Sequence, residues 1–228
     1  MYPSMKPVRL TRACKKERTR ERLLDAARRS FIERGLAATS VEHIAEAAGY
    51  TRGAFYSNFS SQLELLLELL QRDVEKTCAD LQAIIKLPCA PAQEKVRALA
   101  RLSCAEFESD CFTLWVEAGL LASRDSTVRE RVTGLRQRKL AKLAACLRAG
   151  ARPGDGGWLA QPEVLAAALL SLCDGMRFFR LCNPEERTDE AIRVILAALS
   201  SCTSNGPVLG KLESLDDTGA TVSSQARP

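Results

Sequence analysis

Apolar residues recur at three- and four-residue intervals along most of the chain, and no stretch alternates with period two for long enough to predict a strand. Leu23, Leu24, Ala27 and Phe31 form one stripe, which predicts a first helix over 16–34 with Gly35 as a left-handed stop. Val41, Ile44, Ala45 and Ala48 fall at i, i+3, i+4 and i+7 and predict a second helix, closed by Gly49. Thr39 and Glu42 have the spacing of a capping box at its start. Thr51 can cap a short third helix that carries Phe55 and Phe59 at i and i+4. Ser61 and Glu64 form a second capping box, and from there Leu63, Leu66, Leu67, Leu70, Val74, Cys78, Leu81 and Ile85 hold one stripe. At ~1.5 Å per residue this fourth helix is a rod of about 37 Å.

Beyond the break "KLPCAP", five more helices are predicted, over 92–109, 112–123, 127–149, 162–182 and 189–201. Pro162 suits a first helical turn. "GARPGDGG" reads as a loop, and the tail 204–228 has too little to bury and is expected to be disordered. The predicted fold class is therefore all-α. The longest apolar run, 164–173, is half of what a membrane-spanning helix needs, and the basic N-terminus lacks the apolar core of a secretory signal. A cytoplasmic protein is expected.

Charge changes this picture more than composition does. The chain carries a formal net charge of +5, yet residues 1–60 hold 12 Lys and Arg against 6 Asp and Glu, so the whole excess lies in the first quarter. Such polarity points to an anionic partner at one end, either nucleic acid or a membrane surface, or else to a solvated basic tail. Residues 1–15 are expected to form a flexible basic arm.

Nine cysteines without a C-x-x-C pair, and a single histidine, His43, match neither a disulfide framework nor a zinc site. There is no phosphate loop, glycine-rich nucleotide motif or carboxylate–histidine metal set, so neither enzymatic activity nor a cofactor is expected.

Candidate chemistry concentrates in "GYTRGAFYSNFSS". Gly49 permits a sharp reversal, and Thr51 restarts the helix with its positive end toward an anion. Phe55 and Phe59 pin that helix to a core. Arg52 and Tyr56, also at i and i+4, stand on another face, and Gly53 keeps that face low. Two short helices joined by about three residues make the helix-turn-helix arrangement, whose last helix can enter a major groove, although a capped restart of this kind also occurs in proteins that bind no DNA.

The stretch "TSVEHIAEAAGYTRGAFYSNFSSQLELL" resembles the DNA-binding signature of the TetR family of bacterial transcriptional regulators. The shared positions are Thr39, Ile44-Ala45, Ala48-Gly49, Gly53, Tyr56 with Phe59, and the leucines from Leu63 onward. The resemblance covers about 45 residues including the first helix; beyond residue 70 only fragments such as "LWVEAGLLASRD" and "CDGMRFF" are similar. It implies a helix-turn-helix domain over 16–60, joined by the fourth helix to an effector-binding and dimerisation domain over 61–203. It implies that Thr39, Thr51 and Tyr56 contact phosphates and that Arg52 and Tyr50 lie near base edges, beside Gly53. Tyr50 replaces a small apolar residue usual at the turn. Asn58 stands where histidine is common, and Gln62 replaces a frequent lysine, which removes one charged phosphate contact.

By the same resemblance, Phe107, Phe112, Trp115, Met176 and Phe179 line an effector cavity, although each also reads as ordinary core. Glu106, Glu108, Asp110 and Glu117 among them favour a cationic ligand. The eighth and ninth helices, "VLAAALLSLCDGM" and "AIRVILAALSSC", pair with a second copy. The expected protein is a repressor that binds an inverted-repeat operator as a homodimer and is released by a small molecule. Two rivals use the same scaffold: a thiol redox regulator sensing through Cys104, Cys111 or Cys173, and a protein adaptor with a vestigial head.

Overall fold

The computed structural model describes residues 11–86, 110–150 and 161–183, together with Leu102 and Val194. All regular structure among them is helical: α1 (Arg12–Arg34), α2 (Val41–Ala47), α3 (Arg52–Tyr56), α4 (Gln62–Ile85), α5 (Cys111–Ala122), α6 (Ser126–Gly150) and α7 (Pro162–Cys182). The predicted helices over 92–109 and 189–201, the loop at 150–157 and the tail lie outside the described residues, apart from Leu102, Val194 and Gly150. The chain divides into two compact units, Met1–Ala83 with Ala105–Leu143, and Ile84–Cys104 with Ala144–Pro228.

In the first unit the predicted stripes meet in one apolar cluster. Leu23, Leu24, Ala27 and Phe31 of α1 are buried with Ile44 and Ala45 of α2, Phe55, Phe59, and Leu66, Leu67, Leu70 and Val74 of α4. The same cluster continues into Phe112, Leu114, Trp115 and Ala118 of α5 and Val128 and Val132 of α6. The cluster thus takes residues from both sides of position 60.

Three helix starts show how local chemistry set the boundaries. The first helix begins at Arg12, ahead of the predicted residue 16, because the Thr11 hydroxyl accepts from Cys14 N at 3.3 Å. Part of the expected flexible arm is thus ordered helix, built from Lys and Arg, which are good helix formers. Ser40, not Thr39, caps α2 by accepting from His43 N at 3.1 Å. At α4, Ser61 accepts from Glu64 N at 3.1 Å, as its capping box requires, while the Glu64 carboxylate reaches back to Ser60 N and Ser60 Oγ, both at 2.6 Å.

Charged side chains lock α1 to α4. Both terminal nitrogens of Arg72 donate to Glu21 at 2.7 Å, and Arg72 Nε donates to Glu68 at 3.2 Å. Arg20 pairs with Glu68 at 3.1 Å, donates to the Asn58 carbonyl at 2.9 Å and lies 4.2 Å over the Phe59 ring. The hydrogen bond from Arg72 holds the Glu21 carboxyl below its ordinary value, against the opposing effect of burial. Bidentate geometry of this kind fixes orientation more tightly than an ordinary surface pair.

Within the second unit, Ala144, Cys146 and Ala166 are buried, Arg148 pairs with Glu163, and the largely buried Arg177 sits 3.8 Å from Asp174. α7 begins at Pro162 as predicted. Val164, Ala168, Leu172, Gly175 and Phe179 follow one another at four- and three-residue steps on α7, and all five are exposed.

Candidate nucleic-acid interface

Two glycines with positive φ shape the loops of the head. Gly49, at φ +75°, sends its own N–H back to Glu46 O and lets Tyr50 N reach Ala45 O, closing α2 sharply. Three residues later α3 begins, with Thr51 Oγ1 accepting from Ala54 N at 3.3 Å. The helix ends at Tyr56 with Ser57 as its C-cap, so Phe59, expected on it, lies just beyond it. Phe55 and Phe59 are buried, their ring centroids 6.0 Å apart, whereas Arg52 and Tyr56 stay exposed.

Arg52 is held from two sides. One guanidinium nitrogen lies 2.9 Å from Glu42 Oε1, in the first turn of α2, and the guanidinium carbon lies 5.4 Å from the Tyr56 ring centre. Hydrogen bonding to Tyr56, then the Glu42 charge, push the Arg52 pKa further upward, so it is a permanent cation. The Tyr56 ring meets Phe55 edge-on at 5.4 Å, which anchors the exposed ring to the core beneath it. Gly53 has only the Thr51 hydroxyl, at 3.7 Å, near the place a Cβ would take, so its surface is low. Across the turn, Tyr50 is half-buried against the core; the Thr19 hydroxyl, and more weakly Arg22 and Arg18, hold its phenol below the ordinary value. Tyr50 therefore reaches toward the basic face of α1.

Three of the residues expected at the DNA interface make hydrogen bonds within the head. Thr39 is buried, and its hydroxyl donates toward Gly35 O at 2.8 Å and Ser30 O at 3.3 Å, so it fastens the loop between α1 and α2. Gln62 Nε2 donates to Thr39 O at 2.6 Å, tying the start of α4 to that loop. Asn58 Nδ2 donates to Ala54 O at 2.8 Å, which folds the side chain onto the end of α3. Of these bonds only that of Gln62 reaches a carbonyl far along the chain, whereas Thr39 and Asn58 each use one four residues back. The sequence also missed Glu42, whose i+10 relation to Arg52 no helical period reveals.

The residues expected around an effector fall in different units. Phe107 lies outside the described residues. Phe112 and Trp115 are buried in the first unit, where the Trp115 indole N–H donates to Asp73 Oδ2 at 2.9 Å and Arg136 lies 5.1 Å over its ring. Lys139, also buried, stands 3.9 Å from Asp73. In the second unit, Met176 and Phe179 border a shallow apolar depression on α7 with Ser171, Leu172 and Gly175, and Phe179 is about half exposed. Glu117, one of the acids expected to favour a cation, accepts from Leu36 N at 3.3 Å, with Oε1 only 2.9 Å from where a Cβ on Gly35 would stand. Its carboxylate serves the head.

This geometry can be set beside known proteins. The family model described as bacterial regulatory proteins, tetR family, matches residues 23–69, and one described as BetI-type transcriptional repressor, C-terminal, matches residues 92–203. The chain belongs to the TetR family of transcriptional regulators. The curated relative TtgR of Pseudomonas putida is 46% identical to this TetR-family chain over 54 residues, 24% of the chain and 26% of that protein. The repressor KstR2 of Mycobacterium tuberculosis is 36% identical over 90 residues, 40% and 43% of the two proteins. These matches span about a quarter to under half of the relatives' length. A putative transcriptional regulator from Saccharomonospora viridis, solved in complex with choline, shares the fold with a TM-score of 0.66 at 22% identity, covering 80% of this chain and 95% of that one. The helix-turn-helix reading of α2 and α3 and the all-α TetR fold stand on these matches together with the helices themselves.

Proposed function

We propose that this chain is a ligand-responsive repressor that binds an inverted-repeat operator as a homodimer and is released by a small-molecule effector. The observation that carries the reading is the division of α3: Phe55 is anchored in the core while Arg52 and Tyr56 stand exposed at the restart of the helix. The N-terminal residues of a recognition helix are the ones that reach base edges. In this reading Arg52 contacts a base, Tyr56 and Thr51 contact phosphate or sugar, Gly53 admits the backbone, and Tyr50 extends the contact toward Arg18 and Arg22. Thr39, Gln62 and Asn58 position these groups from behind. The description of the C-terminal family match supports repression, and small-molecule control finds support in the choline complex of the structural neighbour.

The exposed stripe Val164, Ala168, Leu172, Gly175 and Phe179 supports dimerisation through α7, because Ala168 and Gly175 permit close approach and the larger residues supply apolar area. Phe179, expected in the cavity, belongs to this stripe. Coupling from body to head runs through α5, which holds α4 by the Trp115–Asp73 bond and the head by the Glu117–Leu36 bond. An effector that shifts α5 changes DNA affinity to the extent that it prefers one arrangement of the head.

Selection of bound duplexes from a random pool tests the reading. The expected product is an inverted repeat whose half-site centres lie one helical turn apart, about 34–36 Å. Enrichment of solitary half-sites would remove the homodimer, and absence of any enriched sequence would remove DNA reading altogether.

A further inference from the structure

The pairing of Arg52 with Glu42 has no explanation in stability. Both side chains are more than half exposed, at 64% and 56%, and exposed pairs contribute only ~0–1 kcal/mol. On a surface that meets DNA, a carboxylate is a liability, since phosphates repel it and base binding must strip its water. Its cost is offset only where it meets a hydrogen-bond donor. In the major groove such donors are the amino groups of the bases, and a glutamate's usual partner is the cytosine N4 amine. Arg52 has the complementary need, since a guanidinium is a donor only and guanine O6 and N7 are acceptors.

The geometry allows both needs to be met at once. The bond between them uses Glu42 Oε1 and Arg52 Nη1. Oε2 and a further edge of the guanidinium are the remaining faces of the pair. Tyr56, its ring centre 5.4 Å from the guanidinium, and Glu42 both restrain Arg52, so less side-chain freedom is lost when it docks.

We propose that Glu42 is a specificity-determining residue: with Arg52 it forms a joined acceptor–donor head that reads a G·C-containing step in each half-site, Arg52 taking guanine and Glu42 the amino group of a cytosine. This rests on the DNA-reading function proposed above and adds a second reading residue, contributed by α2. Glu42 makes the protein selective at the expense of general affinity, because at every step lacking a suitably placed amine its carboxylate is matched by Arg52 alone against the phosphates.

The test uses the full-length protein and the operator recovered by selection, with each base pair of a half-site substituted in turn and binding followed by fluorescence anisotropy. For Glu42→Gln, discrimination at one cytosine is expected to fall by about tenfold per half-site, and binding to an unrelated duplex is expected to tighten. Arg52→Ala is expected to blur a neighbouring guanine instead. If Glu42→Gln blurs only the guanine read by Arg52, Glu42 is merely an orienting strut and the cytosine reading is overturned. If the variant ranks all substituted sites as the wild type does, Glu42 reads nothing. A wild-type protein that selects no sequence at all brings down the DNA-reading function itself, a separate outcome from either of these.

Discussion

Replacing Arg52 by alanine is expected to weaken operator binding by about 2–6 kcal/mol, roughly 30-fold to 10⁴-fold, while leaving the fold intact. A good bidentate contact to a base contributes ~1–3 kcal/mol of discrimination, and a two-fold complex removes two of them. The fold is spared because Arg52 is exposed and the partners of its guanidinium, Glu42 and Tyr56, are exposed too, so the thermal midpoint is expected to move by no more than a surface substitution does. Titrations against the operator and against an unrelated duplex at one salt concentration separate two roles. A base-reading arginine loses affinity for the operator selectively, whereas a phosphate-binding one loses it uniformly and lowers the salt slope. Equal losses on both duplexes would reassign Arg52 to the backbone.

The second large effect lies three residues along the same short helix. Phe55→Ala is expected to destabilise the first unit by about 3–5 kcal/mol, a large part of the roughly 5–15 kcal/mol that a domain has in all. Phe55 is fully buried, meets Tyr56 edge-on, packs against Phe59 and belongs to the cluster that joins α1, α2 and α4. Removing its ring leaves a cavity beneath α3 and frees the Tyr56 ring from its support. Urea denaturation measures the loss, with Tyr56→Ala as the comparison from its exposed neighbour, expected within about 1 kcal/mol of wild type. A shift below about 1 kcal/mol for Phe55→Ala would show that α3 is not held by this ring.

That contrast between residues 55 and 56 was legible in the sequence, and so was most of the head. Residue type carried it rather than spacing: 52, 55, 56 and 59 stand at i, i+3, i+4 and i+7, and the aromatic phenylalanines are the ones that the core takes, Phe59 from beyond the end of α3. Gly49, Thr51 and Ser61 announce their turns and caps by local chemistry that needs no tertiary context. Where two neighbours had equal capping ability, the sequence offered no choice between them. Thr39 and Ser40 are such a pair, and the carbonyls of Ser30 and Gly35 settle the matter by taking the Thr39 hydroxyl.

Longer-range chemistry was beyond periodic reasoning. Gln62 meets Thr39 O from 23 residues away, Trp115 meets Asp73 from 42, and Glu117 meets Leu36 N from 81. Each is a polar group finding a partner that only packing supplies. The reading of Glu117 as a ligand-facing acid fails for this reason: the same carboxylate that suggested a cation site satisfies a backbone N–H of the head. Phe179 shows the complementary limit, because an apolar residue on a helix is equally suited to a cavity and to a helix–helix contact, and it both stands exposed and borders the depression with Leu172.

The central claim is that the face bearing Arg52 and Tyr56 lies against duplex DNA. Incorporating p-azidophenylalanine at position 56, and in a separate protein at the exposed position 120 of α5, then irradiating each with the selected operator, measures this directly. The account predicts covalent attachment from position 56 at two symmetric places about one helical turn apart, and none from position 120. Attachment from position 120 with none from position 56 would contradict it.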